Sequence, residues 1–366
     1  MTAAMDASHP LWDQNWIEGE GEATIRRHSA LSNDTITYPK EVTLYCSWFC
    51  PFAQRAWITL EELQVPYTYV EVNPYRVDPN EPGGYTKQSL SMQEKRDLMP
   101  DFMNTSPRGL VPAIQDVRGE RIWESAVVIE YLDQVYGDNR LYTKGAQMAA
   151  MIRIYIDHCS SRIQKSYYRF LMETTRKGRI EAKIDFFREC RALACAMAPN
   201  ATEPTPEQIQ NDTQKEEETI RSTTISRLDV GTISMVSQEA FASKGTEPGP
   251  FFLGKQFSAV DIALVPFWQR VLWVGQHYRD LILPTHDDAA FVRLQQWWEA
   301  VSERASVART FVGKQRLISS YKQYAQNVAT SDWANTMQSN MSTKDDTHDD
   351  DDDDDNNNIT NKRPKV

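Results

Sequence analysis

One thiol in this 366-residue chain lies where a strand is predicted to end and a helix to begin. Residues 42–45 mix β-branched and aromatic side chains, which is typical of a short strand. From Pro51 to about Gln64, apolar residues recur every three or four positions, which predicts an amphipathic helix. We therefore expect Cys50 at the N-cap, where free backbone N–H groups and the helix dipole face its sulfur.

This position favours thiol exchange. Helix N-termini lower the pKa of a cysteine from ~8.5 to roughly 3.5–7.5, so we expect Cys50 to be largely thiolate near neutral pH. Intrinsic nucleophilicity falls with the pKa, but a low-pKa sulfur is a good leaving group when a second thiol attacks. Free cysteines are otherwise among the most buried residues, so the alternative is that Cys50 is a small core residue.

Composition limits the class of protein. Hydrophobic residues make up 40% of the chain, and no apolar run approaches the ~20 residues of a membrane span. The five cysteines are an odd number, which argues against a disulfide framework, and the first residues lack a secretory signal. We therefore expect a cytoplasmic protein with no membrane association. The net charge of −11 disfavours nucleic acid as the main partner. No metal site is predicted.

The order of the predicted elements divides the chain into domains. Residues 41–142 are predicted to form a small domain around a four-stranded sheet, with elements in the order strand, helix, strand, helix, strand, strand, helix. Helical periodicity dominates 143–335. A polar extension occupies 1–40, and an acidic insertion is predicted near 199–224. Residues 336–366 form an acidic tail that we expect to be disordered, since it has little apolar surface to bury.

Three local patterns add detail to this division. Residues 73–85 are rich in proline and glycine and predict a long loop. Ser258 and Asp261 form a capping box, so we expect that carboxylate to serve helix-terminus N–H groups rather than catalysis. The basic run Lys362-Arg363-Pro364-Lys365 matches a nuclear-import signal; the alternative is a solvated chain end with no targeting role.

Four motifs in this order resemble the glutathione transferase superfamily. They lie at residues 50–55, 109–113, 123–132 and 258–263. The cysteine at the first motif is similar to the omega class and the related dehydroascorbate reductases, and the resemblance covers about 41–320. It implies an α+β thioredoxin-like N-terminal domain with a four-stranded mixed sheet, followed by an all-α C-terminal domain. It also implies glutathione as co-substrate.

The resemblance also implies roles for individual residues. Cys50 would be the catalytic residue, and Pro112 would be a cis-proline that exposes the backbone of Val111 to the tripeptide. The residues implied to bind glutathione are Phe52, Leu110, Val111, Pro112, Glu124 and Ser125. Core packing of Phe52 and Val111 and ordinary N-capping by Ser125 remain open alternatives.

Two parts of the implied site are not fixed by the motifs. The loop from Asn73 to Met99 is longer than the resemblance implies, so the basic residue for the glycine carboxylate of glutathione is unplaced. Its candidates are Lys87, Lys95, Arg96 and Arg108. We expect an apolar acceptor site from aromatic side chains of the helical domain, namely Tyr155, Tyr167 and Trp268.

The resemblance implies a glutathione-dependent thiol transferase of the cysteine type. Ala53 replaces the second cysteine of a Cys-x-x-Cys site, so an external thiol would resolve Cys50, and Cys46 has the wrong spacing. The reaction would be disulfide exchange, deglutathionylation or dehydroascorbate reduction. The partners would be glutathione and a small disulfide, glutathionylated or electrophilic substrate, and a homodimer is expected from the family.

Two alternatives belong to other functional classes. One is a non-enzymatic binding or regulatory module that retains the transferase fold. The other is a membrane-inserting protein similar to the chloride intracellular channel proteins, which share a Cys-Pro-Phe site.

Overall fold

The computed structural model describes residues 41–81, 84–198 and 247–345. The predicted N-terminal extension, the acidic insertion near 199–224 and the basic run 362–365 lie outside these residues.

The N-terminal part is built on a four-stranded mixed sheet in the order β2-β1-β5-β6. The central strand β1 pairs parallel with β2 and antiparallel with β5, and β6 pairs antiparallel with β5. The strands of the chain are Val42–Cys46 (β1), Tyr67–Glu71 (β2), Tyr75–Val77 (β3), Tyr85–Ser89 (β4), Ala113–Gln115 (β5) and Arg121–Trp123 (β6). The predicted four-stranded mixed sheet is confirmed.

The prediction of a loop at 73–85 is wrong, because β3 and β4 pair there as an antiparallel hairpin outside the main sheet. Apart from Pro74, which directly precedes β3, the proline and glycine residues that suggested a loop lie between the two strands in the sequence. The strands themselves carry aromatic and β-branched residues, among them Tyr75, Val77 and Tyr85, which suit a pleated surface.

The helices of this part are Pro51–Leu63 (α1), Met92–Leu98 (α2), Pro100–Thr105 (α3) and Ser125–Tyr136 (α4). Helix α1 packs against α4 on one side and against the helical domain on the other. Helices α2 and α3 are separated at Met99, whose backbone leaves the helical region with φ −137° and ψ 58°. A proline disfavours helical geometry in the residue before it, and Pro100 follows Met99 directly.

The rest of the described chain is predominantly helical. Its helices are Ala146–His158 (α5), Gln164–Met172 (α6), Arg176–Ala196 (α7), Ala259–Arg270 (α8), Gln276–Arg279 (α9), Ala289–Ser302 (α10), Ala305–Ala308 (α11), Lys314–Ser320 (α12), Lys322–Ala325 (α13) and Asp332–Asp345 (α14). One-turn π-helices, Cys159–Ile163 and Val271–Gly275, continue α5 and α8. In residues 41–81, 84–198 and 247–345, every helix is too short or too polar to cross a bilayer.

Helix α14 corrects the predicted start of the disordered tail. The tail was expected from residue 336, whereas the helix continues to Asp345. Ala334 is completely buried and Met337 is 3% exposed, so the first turns of α14 pack on the protein. Trp333, Ala334 and Met337 give the start of this helix an apolar face, and the strongly polar part of the sequence follows them.

The capping box at the start of α8 forms as predicted. The carboxylate of Asp261 is completely buried and accepts hydrogen bonds from the backbone N–H of Ser258 at 2.7 Å and of Phe252 at 2.8 Å. It also accepts from Nε1 of Trp297 at 2.8 Å. One side chain therefore joins the start of α8 to the segment before it and to α10.

We expect Asp261→Ala to lower the free energy of unfolding by about 3 kcal/mol, because it leaves several buried donors without an acceptor. Denaturant unfolding followed by circular dichroism measures the difference. The control is Asp97→Ala, which removes an exposed carboxylate that accepts from Gln93 within α2. Equal stabilities of the two variants would contradict the structural role of Asp261.

Candidate active site

Cys50 occupies the N-cap of α1, with Pro51 at the first helical position. Its backbone is extended, with φ −83° and ψ 118°, and its side chain makes no capping hydrogen bond, although the backbone N–H groups of Ala53 and Phe52 lower the pKa of the thiol. The Sγ atom lies 3.9 Å from the carbonyl oxygen of Val111. The residue is half-buried. The sulfur thus lies between the start of α1 and the segment that precedes β5, and this position is suitable for a thiol that contacts a ligand.

The expected lowering of the Cys50 pKa is wrong for this structure. Burial raises the pKa of the Cys50 thiol above its usual value. The N–H groups at the helix start, and then the positive charges of Arg270 and Lys87, oppose this effect without overcoming it. Loss of hydration is the larger contribution, because burial disfavours the charged form of a thiol.

The loop before Cys50 is held by a buried carboxyl group on β2. The backbone N–H of Trp48 lies 3.3 Å and 3.4 Å from the two carboxyl oxygens of Glu71, and the hydroxyl of Tyr69 donates to that group at 2.7 Å. Burial raises the pKa of Glu71 to about 8. Glu71 is therefore protonated near neutral pH and fixes the loop without placing a negative charge near the thiol.

The segment before β5 is shaped by Gly109 and a cis peptide bond between Val111 and Pro112. Gly109 has φ +62°, and a Cβ atom there would lie 3.0 Å from Cδ of Lys95, so a side chain would be both strained and crowded. The hydroxyl of Ser106 donates to the carbonyl of Leu110 at 2.7 Å, which leaves that carbonyl occupied. Within the described residues the N–H of Val111 donates no hydrogen bond.

Glu124 and Ser125 form the start of α4. Glu124 has φ +70°, and its exposed carboxylate pairs with Arg108 at 2.6 Å. Ser125 is 8% exposed, and its hydroxyl oxygen accepts from the guanidinium of Arg55 at 3.3 Å. Within the described residues, the Ser125 hydroxyl accepts this bond and donates none, so its proton is available to an acceptor.

Arg55 links this corner of the site to the helical domain. Its buried guanidinium donates to the carbonyl of Ala263 at 3.0 Å and to the hydroxyl of Ser160 at 3.0 Å, in addition to Ser125. The guanidinium carbon lies 4.8 Å from the centre of the Phe267 ring. Helix α1 therefore carries both the thiol and the residue that orients Ser125.

The four candidate basic residues lie in different places. The ammonium of Lys95 is buried, donates to the carbonyl of Gly109 at 3.1 Å and lies 3.9 Å from a carboxylate oxygen of Asp332. Arg108 is engaged by Glu124, Arg96 is exposed on α2, and Lys87 is buried on β4. Lys95 is thus the candidate that touches the segment containing Val111.

The expected acceptor site is wrong. Its three residues are at most 3% exposed and belong to the core, where Tyr155 packs on Phe252 and Trp268 packs on Trp297. The hydroxyl of Tyr167 donates to the carbonyl of Arg270. Their periodic positions reflect helix packing rather than a ligand surface.

Other aromatic residues stand beside the thiol instead. Phe52 is half-buried, and its ring centre lies 5.4 Å from that of Phe267 and 5.7 Å from that of Trp333. Sequence reasoning missed Phe267 and Trp333. The signal available for Trp333 was a lone tryptophan just before a strongly polar region.

The hairpin β3–β4 and the C-terminal segment form one wall of the site together. The backbone N–H of Lys87 donates to the side chain of Gln323 at 2.7 Å, and its carbonyl accepts from the N–H of Thr330 at 3.1 Å. Neither element is part of the four motifs. Their contact places residues that the motifs do not predict within reach of Cys50.

None of the five cysteines, all of which lie in the described residues, forms a disulfide bond. In the part of the chain that the structure describes, no group of three or more His, Cys, Asp or Glu side chains is arranged to hold a metal ion.

Comparison with known proteins agrees with this geometry. Residues 49–135 match the family model described as the glutathione S-transferase N-terminal domain. The chain is 28% identical to glutathione S-transferase omega-1 of Sus scrofa over 100 residues, and this alignment covers 27% of this chain and 33% of that protein. It is 28% identical to glutathione S-transferase GstB of Escherichia coli over 148 residues, and this alignment covers 38% of this chain and 61% of that protein.

The fold is similar to that of solved transferases. Glutathione transferase Omega 3C from Trametes versicolor superposes with a TM-score of 0.53 at 26% identity, covering 81% of this chain and 94% of that one. Residues 49–135 thus form a glutathione S-transferase N-terminal domain, which is thioredoxin-like and similar to that of the omega-class transferases. The aligned region spans about a third of the length of the omega-1 relatives that it matches.

The raised pKa of Glu71 predicts a pH dependence of stability. The unfolded chain releases this proton near pH 4.5, whereas the folded protein holds it up to about pH 8. The folded state therefore binds more protons between these values, so the free energy of unfolding falls as the pH rises through this window.

We expect the wild type to lose about 1–3 kcal/mol more than Glu71→Gln between pH 5 and pH 7. Denaturant unfolding at both pH values measures this difference. Glu120→Gln, at an exposed position of the β5–β6 turn, is the control and should follow the wild type. A Glu71→Gln variant with the pH dependence of the wild type would show that the carboxyl group is ionised in the folded protein.

Proposed function

We propose that this protein is a glutathione-dependent thiol transferase that acts through Cys50 by a monothiol mechanism. The observation that carries the proposal is the position of Cys50: a half-buried thiol at the start of α1, 3.9 Å from the carbonyl of Val111 beside a cis-proline. The omega-class relatives are glutathione transferases by name, and that activity is proposed here for this chain.

The proposed reaction has two displacements. The Cys50 thiolate attacks the glutathione sulfur of a mixed disulfide, forms a disulfide between Cys50 and glutathione, and releases the substrate as a thiolate that takes up a proton. The thiolate of a second glutathione then attacks the glutathione sulfur of this intermediate. Oxidised glutathione leaves, and Cys50 returns to the thiolate.

The external thiol is needed because no other cysteine of the chain is placed to resolve the intermediate. Ala53 occupies the position of a second cysteine in a Cys-x-x-Cys site, and Cys46 is completely buried at the end of β1. Burial also raises the pKa of the Cys46 thiol well above its usual value, so it is a poor attacking group.

We propose that the tripeptide binds along the segment before β5. The free N–H of Val111 would pair with the cysteinyl part, as an added strand pairs with a sheet edge. At one end, the hydroxyl of Ser125 and the N–H groups that begin α4 would receive the γ-glutamyl carboxylate. At the other end, the ammonium of Lys95 would receive the glycine carboxylate in exchange for its contact with Asp332.

Treatment with oxidised glutathione should add one glutathione to the wild-type protein at Cys50, and Cys50→Ala should abolish that adduct. Intact-mass and peptide-mass spectrometry measure both. The matched control is Cys195→Ala, since Cys195 is also half-buried but lies on α7, away from the site. Absence of an adduct that depends on Cys50 would favour the non-enzymatic module.

We expect Ser125→Ala to raise the KM for glutathione about tenfold in the reduction of a small disulfide, because one hydrogen bond to a carboxylate is lost. The value of kcat should change much less, since Ser125 is remote from the sulfur. Ser160→Ala is the control: it removes another hydroxyl that accepts from Arg55 but lies in the helical domain. Equal effects of both variants would show that Ser125 only anchors Arg55.

A further inference from the structure

Lys87 on β4 is a buried cation within an aromatic cage. The residue is 3% exposed, and its Nζ atom lies 3.9 Å from the ring centre of Phe49, the residue directly before Cys50. The same ammonium lies 4.8 Å, 4.9 Å and 5.8 Å from the ring centres of Tyr75, Tyr85 and Tyr324. Ring faces stabilise a cation but do not neutralise its charge.

Within the described residues, no acid acts as counter-ion to Lys87. The charged groups that act on its ammonium are Cys50, whose thiolate would stabilise the cation, and Arg270, which repels it. A buried charge is normally paired, and the Cys50 thiolate is the negative charge that acts on this ammonium.

The other cations near Cys50 are already engaged. Arg270 donates to the hydroxyl of Tyr321 at 2.6 Å, to the side chain of Gln54 at 3.0 Å and to the carbonyl of Phe49 at 2.9 Å. Arg55 donates to Ser125, Ser160 and Ala263. The titratable and charged groups that act on Cys50 or respond to its charge are Cys46, Arg55, Tyr75, Lys87, Arg270, Tyr321 and Tyr324.

The position of Lys87 is fixed from two sides. Its backbone N–H donates to Gln323 and its carbonyl accepts from Thr330, so the helical domain fixes the centre of β4. An ammonium on a flexible stem would otherwise turn to solvent, where its hydration is strong.

We propose that Lys87 is the positioning residue that stabilises the thiolate of Cys50, as the charge partner that the helix start alone does not supply. The proposal rests on the proposed function for the purpose of the thiolate, but the proposed ion pair requires no substrate. The proton that leaves Sγ passes to the solvent, or to the amine of Lys87 when that amine is neutral.

The direction of both titrations agrees with this pairing. Burial raises the pKa of Cys50 and lowers the pKa of Lys87 to about 7, so burial favours the neutral form of both groups. The charge of either one favours the charge of the other, as both groups show. The two therefore titrate as a coupled pair, and removing one charge must shift the other.

The test follows alkylation of Cys50 by iodoacetamide as a function of pH, without glutathione, by peptide mass spectrometry. We expect Lys87→Met to move the midpoint up by about one pH unit and to slow alkylation at pH 7 about tenfold. Lys87→Arg, which keeps the charge, should restore most of the rate. Lys322→Met, which removes an exposed lysine that pairs with Glu81, is the matched control and should behave as the wild type.

A second measurement on the wild type needs no variant. An ammonium beside the sulfur favours a negatively charged reagent, so the rate ratio of iodoacetate to iodoacetamide should exceed that of N-acetylcysteine and fall in Lys87→Met. Superimposable pH profiles of wild type and Lys87→Met would overturn the proposal. If that variant does not fold, a wild-type ratio no greater than that of N-acetylcysteine overturns it.

The two proposals fail in different ways. Normal alkylation with no glutathione turnover would contradict the transferase function and leave the ion pair standing. Normal turnover, together with a Cys50 alkylation rate that does not change in Lys87→Met, would contradict the ion pair alone.

Discussion

The balance between burial and positive charge at the sulfur of Cys50 is the constraint on which the rest of the site depends. The start of α1 supplies two N–H groups, yet burial still raises the pKa of the thiol. A helix terminus acts on its first turn, and its effect is comparable to a fraction of one charge. The charge state of the sulfur therefore depends on how far the nearby cations, Arg270 and Lys87, offset its loss of hydration.

The same constraint explains why the site is built across the two domains. Helix α1 carries Arg55, whose guanidinium reaches Ala263 on α8, while Arg270 at the end of α8 reaches back to Gln54 and Phe49. These buried arginines have their donors satisfied by carbonyl, amide and hydroxyl oxygens, which suits a dry interface. The thiol is thus fixed by contacts that neither domain makes alone.

The sequence was sufficient for the elements with strong local signals and insufficient for those that depend on distant contacts. Strand β1, helix α1 and the capping box at Ser258 follow from periodicity and terminal residues. The hairpin β3–β4 was hidden by proline and glycine between its strands. Lys87 became a site residue only through Gln323 and Thr330, which lie more than two hundred positions away in the sequence.

The errors about the site have a common physical origin. Tyr155, Tyr167 and Trp268 were assigned to a ligand surface by residue type, but burial in the helical core decides their role. The thiol pKa was assigned from the helix terminus, but burial of the sulfur in the folded protein has the larger effect on it. Residue type and local geometry determine which reactions a side chain can take part in. Tertiary packing determines the charge state of that side chain in the folded protein.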